Sequence, residues 1–184
     1  MRLRSVPALV VLIALGGCAD MLRTVTYEYP QTVPSARVSL QDAAAASPVL
    51  IEVRDSPFAA DVARPLAEAA SATSVGFKVR FTAERAEAGQ PNMRLVVQFS
   101  PAAGVDSATV CDAAHPVAKA PTSELSALVA FCDKARPILS MVAAGPRADG
   151  PNAPVIRNLA EQAMMRMFSS STSLHESPSD YWPD

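Results

Sequence analysis

Apolar and polar residues alternate in two segments near the middle of the chain, 77–82 and 93–100. A period of two with one apolar face is typical of strands in an antiparallel sheet that is covered on one side. The residues between the two segments are polar, and Gly89 and Pro91 there favour a turn. The pattern therefore predicts two neighbouring β-strands.

Three shorter apolar runs complete the predicted sheet. Residues 49–53 form a run bounded by Pro48 and by Asp55, which is typical of a buried strand. Two further runs, 128–131 and 138–142, flank the polar turn at 133–136 and predict a second hairpin. Together these segments predict a sheet of about five strands.

Two helices are predicted, one directly after the strand at 49–53 and one after the last strand. Ser56 and Pro57 have the residue types of an N-cap and first helical position, and an apolar stripe of helical spacing follows, which Pro65 is expected to kink. A second stripe at helical spacing extends from Ile156 to Phe168 and is rich in Met. We expect this stripe to pack on the sheet.

The order of these segments predicts an α+β fold, an antiparallel sheet of about five strands with two helices on one face. The folded domain is expected at 48–168, preceded by a tether at 18–47. Within the tether, 24–29 is rich in β-formers and is interpreted as a partly ordered linker, with an edge strand and a stiff spacer as the alternatives. Residues 101–125 are expected to form a long loop, and 169–184, which contain Trp182, a disordered tail.

The start of the chain has the layout of an export signal. Arg2 and Arg4 precede an apolar run of about ten residues, against about twenty needed to cross a bilayer, and Gly16, Gly17 and Cys18 follow it. This arrangement resembles a bacterial lipoprotein signal. The resemblance implies that residues 1–17 are removed and that Cys18 is acylated. Because Ala19 rather than Asp follows the cysteine, it also implies the periplasmic face of the outer membrane.

Two other cysteines, Cys111 and Cys132, remain in the mature chain. In an oxidising periplasm a disulfide between them is the favoured interpretation, and it would fasten the long loop to the following strand. Free or intermolecular thiols are a second interpretation. A metal site that includes His115 and Asp133 is a third, although the paired spacing usual for zinc is absent from the sequence.

Charge and motifs limit the chemistry that we expect. The formal net charge is −2, and the basic residues are scattered singly, so we predict no nucleic-acid binding. The sequence contains no nucleophile elbow, no H-E-x-x-H and no glycine-rich phosphate loop. His115 and His175 are the only histidines. We therefore expect no catalytic activity, no metal and no cofactor.

The predicted architecture over 48–168, behind the lipoprotein signal, loosely resembles small accessory envelope lipoproteins. Examples are the auxiliary lipoproteins of lipid-transport ABC systems, the lipoprotein activators of wall synthesis, and uncharacterised alphaproteobacterial envelope proteins. The resemblance implies a non-enzymatic, lipid-anchored adaptor that binds an envelope protein through a sheet edge or through the 101–125 loop. The alternative is a periplasmic carrier or sensor of a small apolar ligand or lipid.

Overall fold

The computed structural model describes residues 22–28, 33–45, 47–58, 60–102, 104–112 and 124–169. The strands in this part of the chain are β1 (Arg23–Glu28), β2 (Val49–Arg54), β3 (Phe81–Thr82), β4 (Met93–Phe99), β5 (Glu124–Asp133) and β6 (Arg136–Pro146). The helices are α1 (Val33–Ala44), α2 (Ala63–Ala72), α3 (Ser107–Cys111) and α4 (Pro154–Phe168). Cys18, His115, His175 and Trp182 lie outside the described residues.

The strands form one mixed sheet in the order β1-β6-β5-β4-β2-β3. The pairs β4–β5, β5–β6 and β6–β1 are antiparallel, and β5 and β6 form the predicted hairpin. By contrast, β2 pairs parallel with both β3 and β4. The α+β class is confirmed. The expected purely antiparallel sheet of about five strands with two helices is corrected to a mixed sheet of six strands with four helices in the described residues.

The two alternating segments that predicted neighbouring strands lie on opposite sides of β2. Helix α2 lies between β2 and β3 in the chain, and a crossover of this kind is what parallel pairing requires. Only Phe81 and Thr82 of the first segment join the sheet. Arg37 of α1 instead lies over the ring of Phe77, with its guanidinium carbon 5.1 Å from the ring centroid. Part of the alternation therefore reflects burial against α1 rather than strand pairing.

The sequence predicted that this helix begins at Pro57, but α2 begins at Ala63. The Ser56 hydroxyl accepts a hydrogen bond from the Phe58 amide (3.2 Å), while Asp61 accepts one from the Ala63 amide (2.9 Å). Pro65 is therefore the third helical residue. The amides of the first turn have no partner within a helix, so Pro65 causes no break there.

Helices α1, α2 and α4 pack on one face of the sheet and form the main core with it. Phe131 of β5 meets Phe168 of α4 edge to face, with ring centroids 5.3 Å apart. Arg37 of α1 donates hydrogen bonds to Phe168 O (3.0 Å), at the end of α4, and to Val75 O (2.8 Å). The range predicted as a tether thus contributes β1 to the sheet and α1 to the helical layer. None of the described helices is both long and apolar enough to cross a membrane.

A smaller apolar cluster lies on the other face of the sheet, where α3 covers parts of β4 and β5. Its buried members are Val96, Val110, Cys111, Leu128, Ala130 and Cys132. Because both faces are covered there, β4 is buried continuously from Arg94 to Phe99. The long loop predicted at 101–125 therefore contains a short helix packed on the sheet.

Candidate functional site

Cys111, the last residue of α3, is joined to Cys132 of β5 by a disulfide with an S–S distance of 2.01 Å and a Cα–Cα distance of 5.6 Å. Both residues are buried, with exposures of 1% and 0%. The bond is consistent with the favoured interpretation of the two cysteines. Each sulfur is bonded to the other, so in this state neither is a thiolate or a metal ligand.

An ion cluster on the same face joins β2 to β4. Arg54 Nε and Nη2 each lie 2.9 Å from Glu52 Oε1, and Arg94 Nε lies 2.9 Å from Glu52 Oε2. Glu52 and Arg54 are two residues apart on β2, which directs both side chains to one face. Arg94 reaches the same carboxylate from β4, to which β2 is paired.

The two arginines also hold the end of α3. Arg94 Nη2 donates to Cys111 O (2.9 Å), and Arg54 Nη1 donates to Asp112 O (2.6 Å). Burial by itself raises the pKa of Glu52, but the hydrogen bonds and positive charges of Arg54 and Arg94 outweigh burial and hold this pKa below its ordinary value. The carboxylate is therefore ionised at neutral pH and is shared by two guanidinium groups.

Beside this cluster, the outer edge of β2 is open beyond the N–H of Ile51, which faces Thr82 in the parallel ladder. Val49 donates its backbone N–H to Arg80 O (2.8 Å), on the β3 side. Successive residues of a strand direct their backbone groups to opposite edges, so those of Ile51 and Val53 point to the same side as those of Val49. Strand β3 ends at Thr82, opposite Leu50, and no described strand pairs with this edge farther along.

A groove of about 450 Å³ follows the open edge. Its floor is β2 from Leu50 to Val53, and its walls are the segment from Ala60 to Ala63 and residues Ala83 and Arg85 after β3. Arg85, Ala60 and Asp61 are exposed, whereas Ile51 is buried. The groove therefore combines unpaired backbone groups with small side chains on its walls and a charged residue on each side.

This arrangement suits the binding of an extended polypeptide. A sheet edge offers alternating N–H and C=O groups, which an added strand satisfies with its own backbone. Glu52 lines the groove, but its oxygens already accept hydrogen bonds from the two arginines. Glu52 and the two arginines thus hold β2 against β4 beside this edge.

Most of this site was not predicted from sequence. From the sequence, Glu52 and Asp61 were assigned no role in binding or catalysis. Asp61 accepts a hydrogen bond from the Ala63 amide, whereas Val62, the N-cap residue of α2, makes no side-chain cap hydrogen bond. A signal for the ion cluster was present, because charged residues 52 and 54 alternate within an otherwise apolar strand. The open edge had no such signal, because it arises from the early end of β3.

Comparison of the chain with known protein families, with characterised proteins and with solved structures gave no significant match.

Proposed function

We propose that the chain is a non-enzymatic accessory protein of the cell envelope, anchored by acylated Cys18 to the periplasmic face of the outer membrane. Its role is that of an adaptor: it binds an extended segment of an envelope protein along the open edge of β2. The observation that carries this proposal is the groove of about 450 Å³ beside the part of β2 that pairs with β4 on one side and with no described strand on the other.

The length of the open edge suggests why an anchor is useful. Beyond Leu50 only Ile51 and Val53 direct backbone groups to this edge, and the Ile51 N–H faces Thr82, so the free stretch is about 7 Å of strand. Such a short ladder gives weak binding by itself. Holding both partners at one membrane raises their effective concentration, and this increases occupancy without any additional contact. The anchor and the groove therefore support each other in one function.

The side chains around the groove indicate which segments fit. Ala60, Ala63 and Ala83 leave room for partner side chains, and Arg85 places a guanidinium at the wall. An extended segment with an acidic residue at the Arg85 position is the best match. The carboxylate of Asp61, the other charged residue at the walls, already accepts a hydrogen bond from the Ala63 amide.

The packing of the interior does not support the alternative function, in which the protein carries a small apolar ligand. Such a ligand would be held between the sheet and the helices, where Phe131, Phe168 and Met141 are each 0% exposed. The edge-to-face contact of the two rings occupies the centre of this layer. The adaptor is therefore the function that we propose.

Site-specific photocrosslinking tests the adaptor. A photoreactive amino acid replaces Arg85, at the groove, in the full membrane-bound chain, and a matched protein carries it at Arg136, an exposed position in the β5–β6 turn. We expect a stoichiometric product from position 85 that maps to one segment of one envelope protein. A synthetic peptide of that segment should compete. Identical products from both positions would contradict the proposal. So would the absence of a product both at 85 and in a protein that keeps Arg85 and carries the photoreactive amino acid at Ala83, another residue of the groove.

A groove-filling variant provides the second arm. Ala60→Trp adds a large side chain at an exposed groove position, and Ala135→Trp makes the same change in the exposed β5–β6 turn. Both variants should keep the thermal unfolding temperature of the parent protein. Only Ala60→Trp should lose the product from position 85, and retention of the product in that variant would rule out the groove.

A further inference from the structure

Leu22, the first described residue, is seated on the sheet immediately before β1. It packs against the main core, and Gly145 leaves room for it, because a Cβ at position 145 would lie 2.6 Å from Leu22 Cδ2. Strand β1 then pairs with β6 from Arg23↔Ala144 to Glu28↔Leu139. The sheet therefore begins at Arg23, within the range that the sequence predicted as a tether.

Only residues 19–21 separate Cys18 from Leu22. Four Cα–Cα steps span at most about 14 Å in a fully extended chain. An acyl group on Cys18 therefore brings the amino end of β1 to the membrane surface.

The antiparallel pairing determines which end of the sheet this is. Glu124 at the start of β5 pairs with Pro146 at the end of β6, and Phe99 at the end of β4 pairs with Ala127. The amino end of β1 thus shares one end of the sheet with the loop at 147–150. We call this the anchor end, and we call the opposite end, which carries the 133–136 turn, the far end.

We propose that the domain stands on the bilayer with its anchor end against the lipid surface. The inference rests on the proposed acylation of Cys18 and deepens the proposed function. Exposed charges at this end have both signs, among them Arg23, Arg147 and Asp149. Contact with the bilayer therefore depends on the anchor rather than on attraction to anionic headgroups.

This orientation restricts the partner of the groove. Strand β2 is antiparallel to β1, so its carboxyl half and the start of α2 lie at the anchor end. Strand β2 is four strand spacings from β1, or about 19 Å across the sheet. The groove is thus held close to the bilayer, and the partner segment that fits is one that borders a membrane-embedded or membrane-bound part of its own protein.

Lipid quenching of two matched labels tests this orientation. Asp149→Cys places a fluorophore at the anchor end and Ala135→Cys places one at the far end; both positions are exposed. The purified acylated protein keeps its Cys111–Cys132 bond and is bound to vesicles of phosphatidylethanolamine and phosphatidylglycerol that carry headgroup quenchers. We expect roughly threefold stronger quenching at 149, since the ends of β6 are about 35 Å apart.

A spacer separates orientation from anchoring. Inserting about twenty Gly and Ser residues after Asp20 gives a mean reach of about 25 Å, and quenching at 149 should fall to the level at 135. Equal quenching at both labels without the spacer, on vesicle-bound protein, would overturn the orientation and leave the adaptor intact. Protein that carries no acyl group and does not stay on vesicles would overturn the anchor, and both proposals with it.

Discussion

At the scale of single residues, Glu52 is the carboxylate on which two buried cations depend. The side chains of Arg54 and Arg94 are only 5% and 8% exposed, whereas that of Glu52 is 28% exposed. Buried charges are tolerated when they are paired and hydrogen-bonded. The two guanidinium groups satisfy this condition through Glu52 and through backbone carbonyls that include Cys111 O and Asp112 O.

Glu52→Gln should lower the free energy of unfolding by about 2 kcal/mol at pH 7, because it leaves two buried cations without their counterion. This figure is below the usual cost of breaking a fully buried pair, because solvent reaches Glu52 and screens the interaction. Urea denaturation measures the difference. Glu68→Gln, on the exposed side of α2, is the matched control and should change the free energy by less than about 0.5 kcal/mol. Equal effects of the two changes would contradict the role of Glu52.

The stabilising effect of Glu52 should disappear in acid. Its pKa in the folded protein is below the ordinary value of 4.5, so the contribution is fully present above 4.5 and is lost as the pH falls through the lowered value. Denaturation curves recorded between pH 7 and pH 3 should therefore show parent and Glu52→Gln proteins converging only below about 4.5. A gap that stays constant over this range would argue against the cluster.

At the scale of elements, α3 is a helix of five residues that depends on what holds it. A helix this short is unstable in isolation. Asp106 caps its start by accepting hydrogen bonds from the Thr109 amide and the Thr109 hydroxyl (2.8 Å each). These two hydrogen bonds lower the pKa of Asp106. The disulfide and the two arginines hold its end. The position of α3 on the second face of the sheet therefore depends on the Asp106 cap, the disulfide and the two arginines.

Removing the disulfide should destabilise the protein by about 3 kcal/mol, the chain-entropy value for closing a loop of about this length. The double variant Cys111→Ala/Cys132→Ala removes the bond without leaving a free thiol, and urea denaturation under oxidising conditions measures the loss. Parent protein reduced with dithiothreitol should give nearly the same free energy of unfolding as the double variant. A double variant as stable as the oxidised parent would show that the bond adds nothing.

At the scale of the whole molecule, we expect the proposed anchor to be separable from the fold. Cys18 precedes the first strand, and the main core and the groove are built from Leu22 and residues that follow it in the described part of the chain. Cys18→Ala should therefore leave the free energy of unfolding unchanged within about 0.5 kcal/mol while releasing the protein from the membrane fraction. The yield of the crosslinked product from position 85 should be lower in the released protein. Ala19→Gly, one residue farther on, is the matched control and should stay on the membrane.

The opposite results are equally informative. Undiminished crosslinking in released Cys18→Ala protein would show that the groove binds without the help of an anchor, which would contradict the link between anchor and groove. Membrane retention of Cys18→Ala would contradict acylation at this position.

Several features could be predicted because their signals are local. Helix α4 follows from an apolar stripe of period 3.6, and the β5–β6 hairpin follows from two apolar runs joined by a short polar turn. If Cys18 is the acylated residue, Cys111 and Cys132 are the two cysteines that remain in the sequence, so their pairing needs no choice of partner. In each case the interacting residues are close in sequence or unique in type.

Other features depended on contacts between distant residues. Whether β3 pairs with β4 or with β2 is decided by the α2 crossover, and whether 23–28 is a spacer or a strand is decided by the free edge that β6 offers. Alternation at 77–80 indicated burial correctly but not strand pairing, because packing beneath Arg37 also buries alternate residues.

The sequence by itself determined the α+β class, the closing helix and the hairpin, since these follow from periodicity and short turns. Only the tertiary structure decided the mixed sheet, the shared carboxylate of Glu52, the open edge of β2 and the position of β1 just beyond Cys18. The physical reason is that backbone pairing is nearly independent of side-chain identity. Which strands become neighbours, and where an edge stays open, therefore depends on how the whole chain packs.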